Sequence, residues 1–136
     1  MIDTNAILRT YLASGGGATA ALVALVGTRI YCPRLPENCI WPAGQGALGF
    51  FTRGGTVNPH IPDLPSPSVQ FDCWASTPIV ARQVYRALYD AFQIQEVAVG
   101  ANRIACAIEE VQGQDLEDAD IPKYFRVIAF FQITLS

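Results

Sequence analysis

The segment Ser68 to Ala75 constrains the fold most strongly, because apolar and polar side chains alternate along it and a helix start follows at once. Such alternation is typical of a β-strand with one buried face. That face would carry Val69, Phe71, Cys73 and Ala75, and the opposite face would carry Gln70, Asp72 and Trp74. Ser76 or Thr77 as N-cap and Pro78 at the first helical position then predict a helix that ends near Phe92. A strand that leads directly into a helix excludes both all-α and all-β folds.

The predicted main helix has a clear apolar stripe. The stripe consists of Val80, Val84, Leu88 and Ala91, whereas Arg82, Arg86 and Asp90 would face outward. A helix of this kind packs one side against a sheet and leaves the other side in contact with solvent.

The rest of the chain yields two short helices, four more strands and two long loops. The helices are predicted over Ala6 to Ala13 and Ala18 to Val26, and the strands over Thr28 to Cys32, Gly46 to Arg53, Arg103 to Val111 and Tyr124 to Leu135. The loops are predicted over the proline-rich Gly54 to Pro67 and the acidic Gly113 to Pro122. The sequence thus predicts a single α+β domain over residues 1–136, with a mostly antiparallel β-sheet, one main helix packed across it and short N-terminal helices. The last two strands would form a long hairpin, and Ile128 and Phe130 suggest that both faces of the final strand are covered.

Charged residues are scarce in this chain, and either a membrane span or contacts with other protein chains would explain this. Only 15% of the residues are charged and 51% are hydrophobic, against about 25% charged in typical domains. A membrane span is not expected, because the longest apolar run extends only from Ala20 to Val26. No secretory signal pattern is visible at the start. Contacts with other protein chains therefore explain the composition better, and arginine outnumbers lysine, as it does at protein interfaces.

Motifs for catalysis or cofactors are weak. Gly44 to Gly49 matches the dinucleotide pattern G-x-G-x-x-G, but a strand-like segment follows where a helix is needed, so a glycine-rich bend is the better interpretation. The cysteines lack the paired spacing of zinc sites. Free thiols are expected, with a Cys32–Cys39 disulfide as the alternative in an oxidising medium. His60, the single histidine, lies in a proline-rich loop without a recognisable nucleophile. Neither a catalytic residue, a metal ligand nor a cofactor is predicted.

Two stretches of sequence resemble a known family. The first is Ser-Val-Gln-Phe-Asp-Cys-Trp-Ala-Ser-Thr-Pro-Ile-Val-Ala-Arg-Gln-Val-Tyr-Arg-Ala-Leu, from Ser68 to Leu88, and the second is Leu-Val-Ala-Leu-Val-Gly-Thr-Arg-Ile-Tyr, from Leu22 to Tyr31, preceded by Ile7-Leu8-Arg9. Both are similar to segments of the bacteriophage tail-completion, or tail-terminator, family. The likeness is weakest over Pro33 to Pro67 and around the acidic loop.

The resemblance implies a virion structural protein rather than an enzyme. Proteins of this family form a ring, usually a hexamer, at the head-proximal end of a long phage tail, where they stop polymerisation of the tail tube and provide the attachment surface for the neck. The implied partners are copies of the chain itself, the tail tube protein and head–tail adaptor proteins. The implied locations are the virion and, during assembly, the host cytoplasm. The net charge of −3 argues against broad nucleic-acid binding. Sequence-specific nucleic-acid binding is not expected either, although DNA would pass through the ring.

Two other functions remain open at this point: a neck protein that joins the portal or its adaptor to the tail, and a small-molecule-binding or enzymatic α+β domain. For a subunit or partner interface, aromatic and charged side chains are the best candidates. They are Arg53, Trp74, Arg82, Arg86 and Arg126, with Glu117, Asp118 and Asp120 of the acidic loop as counterparts.

Overall fold

Helices and strands are interspersed along the chain. The structure is a computed structural model. It describes residues 4–15, 17–32, 44–56, 66–92, 97–99, 102–117 and 125–135. The helices are α1 (Thr4–Leu12), α2 (Ala20–Val26) and α3 (Pro78–Ala91), and a 3₁₀ turn, Gly17–Thr19, precedes α2. The strands are β1 (Ile30–Tyr31), β2 (Gly46–Thr56), β3 (Ser66–Ala75), β4 (Val97–Val99), β5 (Asn102–Glu117) and β6 (Phe125–Leu135).

The described strands form one sheet with the order β1-β2-β3-β6-β5-β4. Only β1 runs parallel to its neighbour, and the other pairs are antiparallel. The predicted α+β class, with a mostly antiparallel sheet and a main helix across it, is confirmed. The predicted hairpin of the last two strands is also confirmed, since β5 pairs with β6 from Ile104–Leu135 to Glu117–Phe125.

The core lies between one face of the sheet, here called the inner face, and the helices. Phe71 is at its centre, with ring centroids 5.9 Å from Phe50, 5.5 Å from Phe92 and 5.6 Å from Phe131. Helix α1 is joined to the end of α3, because the Tyr11 hydroxyl donates a buried hydrogen bond to the Ala91 carbonyl. Burial of these aromatic rings supplies much of the hydrophobic stabilisation of the fold.

The start of α3 agrees with its sequence signals. Thr77 has an extended backbone, and its hydroxyl accepts a hydrogen bond from the Val80 amide at 3.3 Å. Pro78 occupies the first turn, where its missing amide hydrogen costs nothing. Of the predicted stripe, Val84, Leu88 and Ala91 are buried and Val80 is half-buried. Ala81 and Ala87 are buried as well, which widens the stripe.

Two of the loop predictions were wrong in their bounds, and one strand was missed. The loop predicted over Gly54 to Pro67 is strand at both ends, because β2 continues to Thr56 and β3 begins at Ser66, with a register shift between Thr52 and Gly55 that accommodates the change. The acidic loop predicted over Gly113 to Pro122 is strand as far as Glu117, since pairing with β6 outweighs the local turn signals. The short strand β4 was not predicted.

The second face of the sheet, here called the outer face, is not covered as expected. Ile128 and Phe130 point to it and are only half-buried. Within the described ranges, all three helices pack in the core cluster on the inner face, and no helix crosses the outer one. The expectation that both faces of β6 are covered is therefore not met by the described elements.

Candidate interaction surface

The outer face brings together three of the residues predicted for an interface. Trp74 lies directly opposite Arg126 across the β3–β6 pair, and Gln70 lies opposite Phe130. Arg53, on β2, points to the same side and is exposed. The alternation of β3 predicted this face for Trp74, and the sheet places the two arginines there as well.

Arg53 and Arg126 each stack on an aromatic ring of the outer face. The guanidinium carbon of Arg126 is 5.2 Å from the centre of the Trp74 ring, and that of Arg53 is 5.3 Å from the centre of the Phe130 ring. Both distances are within the range of cation–π attraction. Stacking uses the flat side of a guanidinium and leaves N–H groups at its edge for further partners. The arrangement suits recognition of carboxylates or carbonyl oxygens by side chains that are already held in place.

A chain of hydrogen bonds connects these groups to a buried acid. Arg53 donates to the Gln70 side-chain carbonyl at 3.2 Å, and the Gln70 amide donates to Asp72 at 3.2 Å. Asp72 is only 7% exposed. Burial raises the pKa of its carboxyl above the ordinary value of 3.8, and the Gln70 hydrogen bond and the Arg126 charge oppose that rise without cancelling it. Asp72 was not among the predicted interface residues.

Replacing Asp72 with asparagine should stabilise the protein at neutral pH. The native state holds the Asp72 proton to a higher pH than the unfolded chain does, so the free energy of unfolding falls as the pH rises through the interval between the two pKa values. Asparagine keeps the acceptor for Gln70 and removes the buried charge. Urea unfolding should show that Asp72→Asn gains over the parent at pH 7 and that the gain shrinks as the pH approaches 4.

The matched control is Asp90→Asn, which removes an exposed carboxyl on α3 instead. A gain at Asp72→Asn that is the same at both pH values, or that grows toward acid, would contradict the assigned role of burial.

A second surface lies on the helix side of the molecule, between α3 and β5. It is an open groove of about 490 Å³ lined by Tyr85, Arg86, Tyr89, Asp90 and Glu109. The Tyr85 hydroxyl donates a hydrogen bond to the Glu109 carboxylate, and the Arg82 guanidinium lies 5.4 Å from the centre of the Tyr85 ring. This surface is called the α3 groove below.

The structure separates the predicted interface residues into groups. Arg53, Trp74 and Arg126 share the outer face, whereas Arg82 and Arg86 lie on α3, on the other side of the sheet. Glu117 is the last residue of β5, and Asp118 and Asp120 lie outside the described residues. The outer-face contact of Phe130 and the pairing of Tyr85 with Glu109 were not predicted from the sequence. Alternation within β6 gave a signal for Phe130, but no sequence pattern indicates the Tyr85–Glu109 pair.

The structure also bears on the motifs for catalysis and cofactors. Gly46 to Gly49 belong to β2, so the glycine-rich segment enters a strand and the interpretation as a bend is confirmed. Arg29 fixes this bend by donating to the Gly46 carbonyl at 2.9 Å. Cys73 is a free thiol, and burial raises its pKa far above the usual range, which keeps it protonated.

Cys39 and His60 lie outside the described residues, so the disulfide alternative and the role of His60 stay predictions. Over the described ranges, no cluster of three or more histidine, cysteine, aspartate or glutamate side chains could hold a metal ion. Among those same ranges, no helix is both long and apolar enough to span a membrane.

Comparisons with known proteins add no family assignment. No protein-family model matches the chain, and no curated protein matches it. The outer face and the α3 groove are therefore the features of the structure that bear on function.

Proposed function

We propose that this chain is a ring-forming tail-completion subunit of a long-tailed phage or phage-like particle. In this role it caps the head-proximal end of the tail tube, stops tube polymerisation and offers the surface to which the neck attaches. This proposed role requires only binding to other proteins, without a catalytic step or a cofactor.

The observation that carries the proposal is the outer face. It combines Trp74, Phe130, Arg53 and Arg126, which belong to the residue types that dominate protein interfaces. None of these four side chains belongs to the core cluster that the described residues form between the sheet and the helices. A surface with aromatic rings and pre-positioned guanidinium groups is better explained by a protein partner than by solvent exposure alone.

The resemblance of Ser68 to Leu88 to tail-completion proteins supplies the specific role. This stretch forms most of β3 and the greater part of α3, which are a strand and a helix at the centre of the fold. The low charge content and the excess of arginine over lysine agree with a subunit whose surface is largely covered in an assembly.

Deleting the gene in its phage or prophage tests the role. Electron microscopy of the particles should show tails of uncontrolled length, and expression of the parent chain in trans should restore uniform tails. The neck role predicts a different result, in which tails of normal length accumulate without heads. Infectious particles with normal, joined tails would contradict both roles.

Assembly of the purified protein gives a second readout. Negative-stain images of the concentrated protein, or of the protein mixed with tail tubes, should show rings with a central opening. Tubes that bind no subunit at either end would contradict the capping function.

A further inference from the structure

The charges on the outer face do not balance. Arg53 and Arg126 lie on this face, and so does Arg103 of β5, because its neighbour Ile104 is buried on the inner face. Among the outer-face side chains that the structure describes, the one acid is Asp72, which is only 7% exposed. The part of this face that a partner can reach is therefore basic.

Two of the three guanidinium groups are held in place without an ion pair. That of Arg53 stacks on Phe130 and donates a hydrogen bond to the neutral side chain of Gln70. That of Arg126 stacks on Trp74. Within the described ranges, no carboxylate lies within ion-pair distance of either group. The N–H groups along the edge of each guanidinium are thus left for a carboxylate from outside the chain.

The two held groups are separated along one pair of strands. They lie beside Gln70 and Trp74, which are four residues apart on β3 and therefore about 13 Å apart in an extended chain. The half-buried Ile128 of β6 lies between them, opposite Asp72. In an extended segment, side chains four residues apart point to the same side with the same spacing. Such a segment would place one carboxylate on each guanidinium and cover Ile128.

We propose that the outer face between Arg53 and Arg126 binds an acidic, extended segment of a different protein, with one carboxylate on each guanidinium. This inference rests on the proposed function, in which the tail tube and neck proteins are the partners that would supply the segment. Because both guanidinium groups are already stacked on rings, little side-chain freedom is lost on binding. The opposite charges also steer the segment to this face.

Carboxylates suit this surface better than nucleic acid does. Bases bind to a sheet by stacking on open aromatic rings, but guanidinium groups already occupy one side of the Trp74 and Phe130 rings. A polynucleotide also carries a negative charge on every residue. The net charge of −3 of the whole chain opposes such a polyanion more strongly than it opposes two carboxylates.

Short peptides test both the charge and the spacing. The probe is a fluorescently labelled peptide, Thr-Glu-Thr-Val-Thr-Glu-Thr, whose glutamates are four residues apart. One control, Thr-Gln-Thr-Val-Thr-Gln-Thr, lacks the charges, and the other, Thr-Thr-Glu-Val-Glu-Thr-Thr, has its glutamates two residues apart. In fluorescence anisotropy at low salt, the parent chain should bind the probe at least about threefold more tightly than it binds either control.

Substitutions assign the binding to the two arginines. Arg53→Gln and Arg126→Gln should each weaken binding of the probe about threefold to fivefold. Asp72→Asn removes the negative charge between them and should strengthen binding about twofold. The matched control is Arg9→Gln, which removes the same charge from an exposed position on α1 and should bind like the parent.

A thermal unfolding curve of each variant checks that the fold is kept. If Arg126→Gln unfolds because the Asp72 charge has lost its counter-charge, the double variant Arg126→Gln/Asp72→Asn takes its place, since it removes both charges together. That double variant should bind the probe more weakly than Asp72→Asn does.

Four outcomes would overturn the inference. Equal binding of the two glutamate peptides would refute the spacing, and a loss in Arg9→Gln as large as in Arg53→Gln would refute the site. An oligothymidylate that binds more tightly than the probe would make nucleic acid the occupant. Self-association that Arg53→Gln abolishes, without any binding of the probe, would make a second copy the occupant. The tail-length experiment decides the proposed function separately, because none of these measurements depends on tails.

Discussion

Replacing Phe71 with alanine is expected to lower the free energy of unfolding by about 3–5 kcal/mol. Phe71 is fully buried, and its ring contacts those of Phe50, Phe92 and Phe131. Alanine removes the apolar contacts and leaves a cavity, since the neighbouring rings belong to two different strands and to the end of α3 and cannot all move inward. Urea unfolding followed by circular dichroism, at a concentration where the protein is monomeric, gives the value.

The matched control is Phe51→Ala, which removes the same side chain from a half-buried position on the outer side of β2. Its expected cost is about 1–1.5 kcal/mol. If Phe51→Ala and Phe71→Ala lowered the free energy of unfolding equally, the core would not be centred on Phe71.

Replacing Gly46 with alanine is expected to cost at least about 2–3 kcal/mol. A Cβ atom at this position would lie 2.2 Å from the Trp74 carbonyl oxygen and 3.2 Å from a methyl group of Val84. The first of these is backbone that belongs to the β2–β3 pairing, so relief requires a shift of the strand and of the α3 side chain above it. Thermal and urea unfolding of Gly46→Ala measure the loss.

Gly44 offers a contrast two residues earlier. It has a φ of 80° and open space around it. Gly44→Ala therefore costs only the strain of a left-handed backbone, about 1–2 kcal/mol, without any clash. If Gly46→Ala were as stable as the parent, the close approach of β2 to the Trp74 carbonyl would be refuted.

Much of the fold could be predicted from local sequence, and β3 with α3 shows why. The alternation from Val69 to Ala75 and the capping signal at Thr77 and Pro78 act within a few residues, and the structure places both elements where these signals do. The buried face of β3 was predicted for the same reason, because successive side chains of a strand point to opposite faces of the sheet.

The errors arose where pairing between distant residues decides the structure. Asp115 and Glu117 carry acidic side chains typical of loops, yet they are strand residues because Val127 and Phe125 lie opposite them. Similarly, Pro67 is a strand residue opposite Gly55, beyond a register shift that no local pattern indicates. Edge positions and bulges of this kind tolerate residues that are unfavourable inside a regular strand.

The candidate site could be predicted only in part. Composition and residue type singled out Arg53, Trp74 and Arg126, but their placement on one face depends on the order β2-β3-β6, which is a tertiary property. The burial of Asp72 depends on the same order, because alternation alone assigned it to a solvent-facing side. The α3 groove forms because a particular strand lies beside α3. No local sequence pattern indicates which strand packs there, so the groove could not be predicted.

The position of β6 in the sheet has a consequence for how the chain folds during synthesis. This strand comes last among the described elements, yet it lies between β3 and β5 and contributes Phe131 to the core. Until the ribosome has released it, β3 and β5 have no neighbour on their facing edges, and the aromatic cluster is incomplete. We therefore expect slow formation of the native state, dominated by contacts between distant residues such as Val69 and Phe131. A chaperone that shields open strand edges should raise the yield of folded protein.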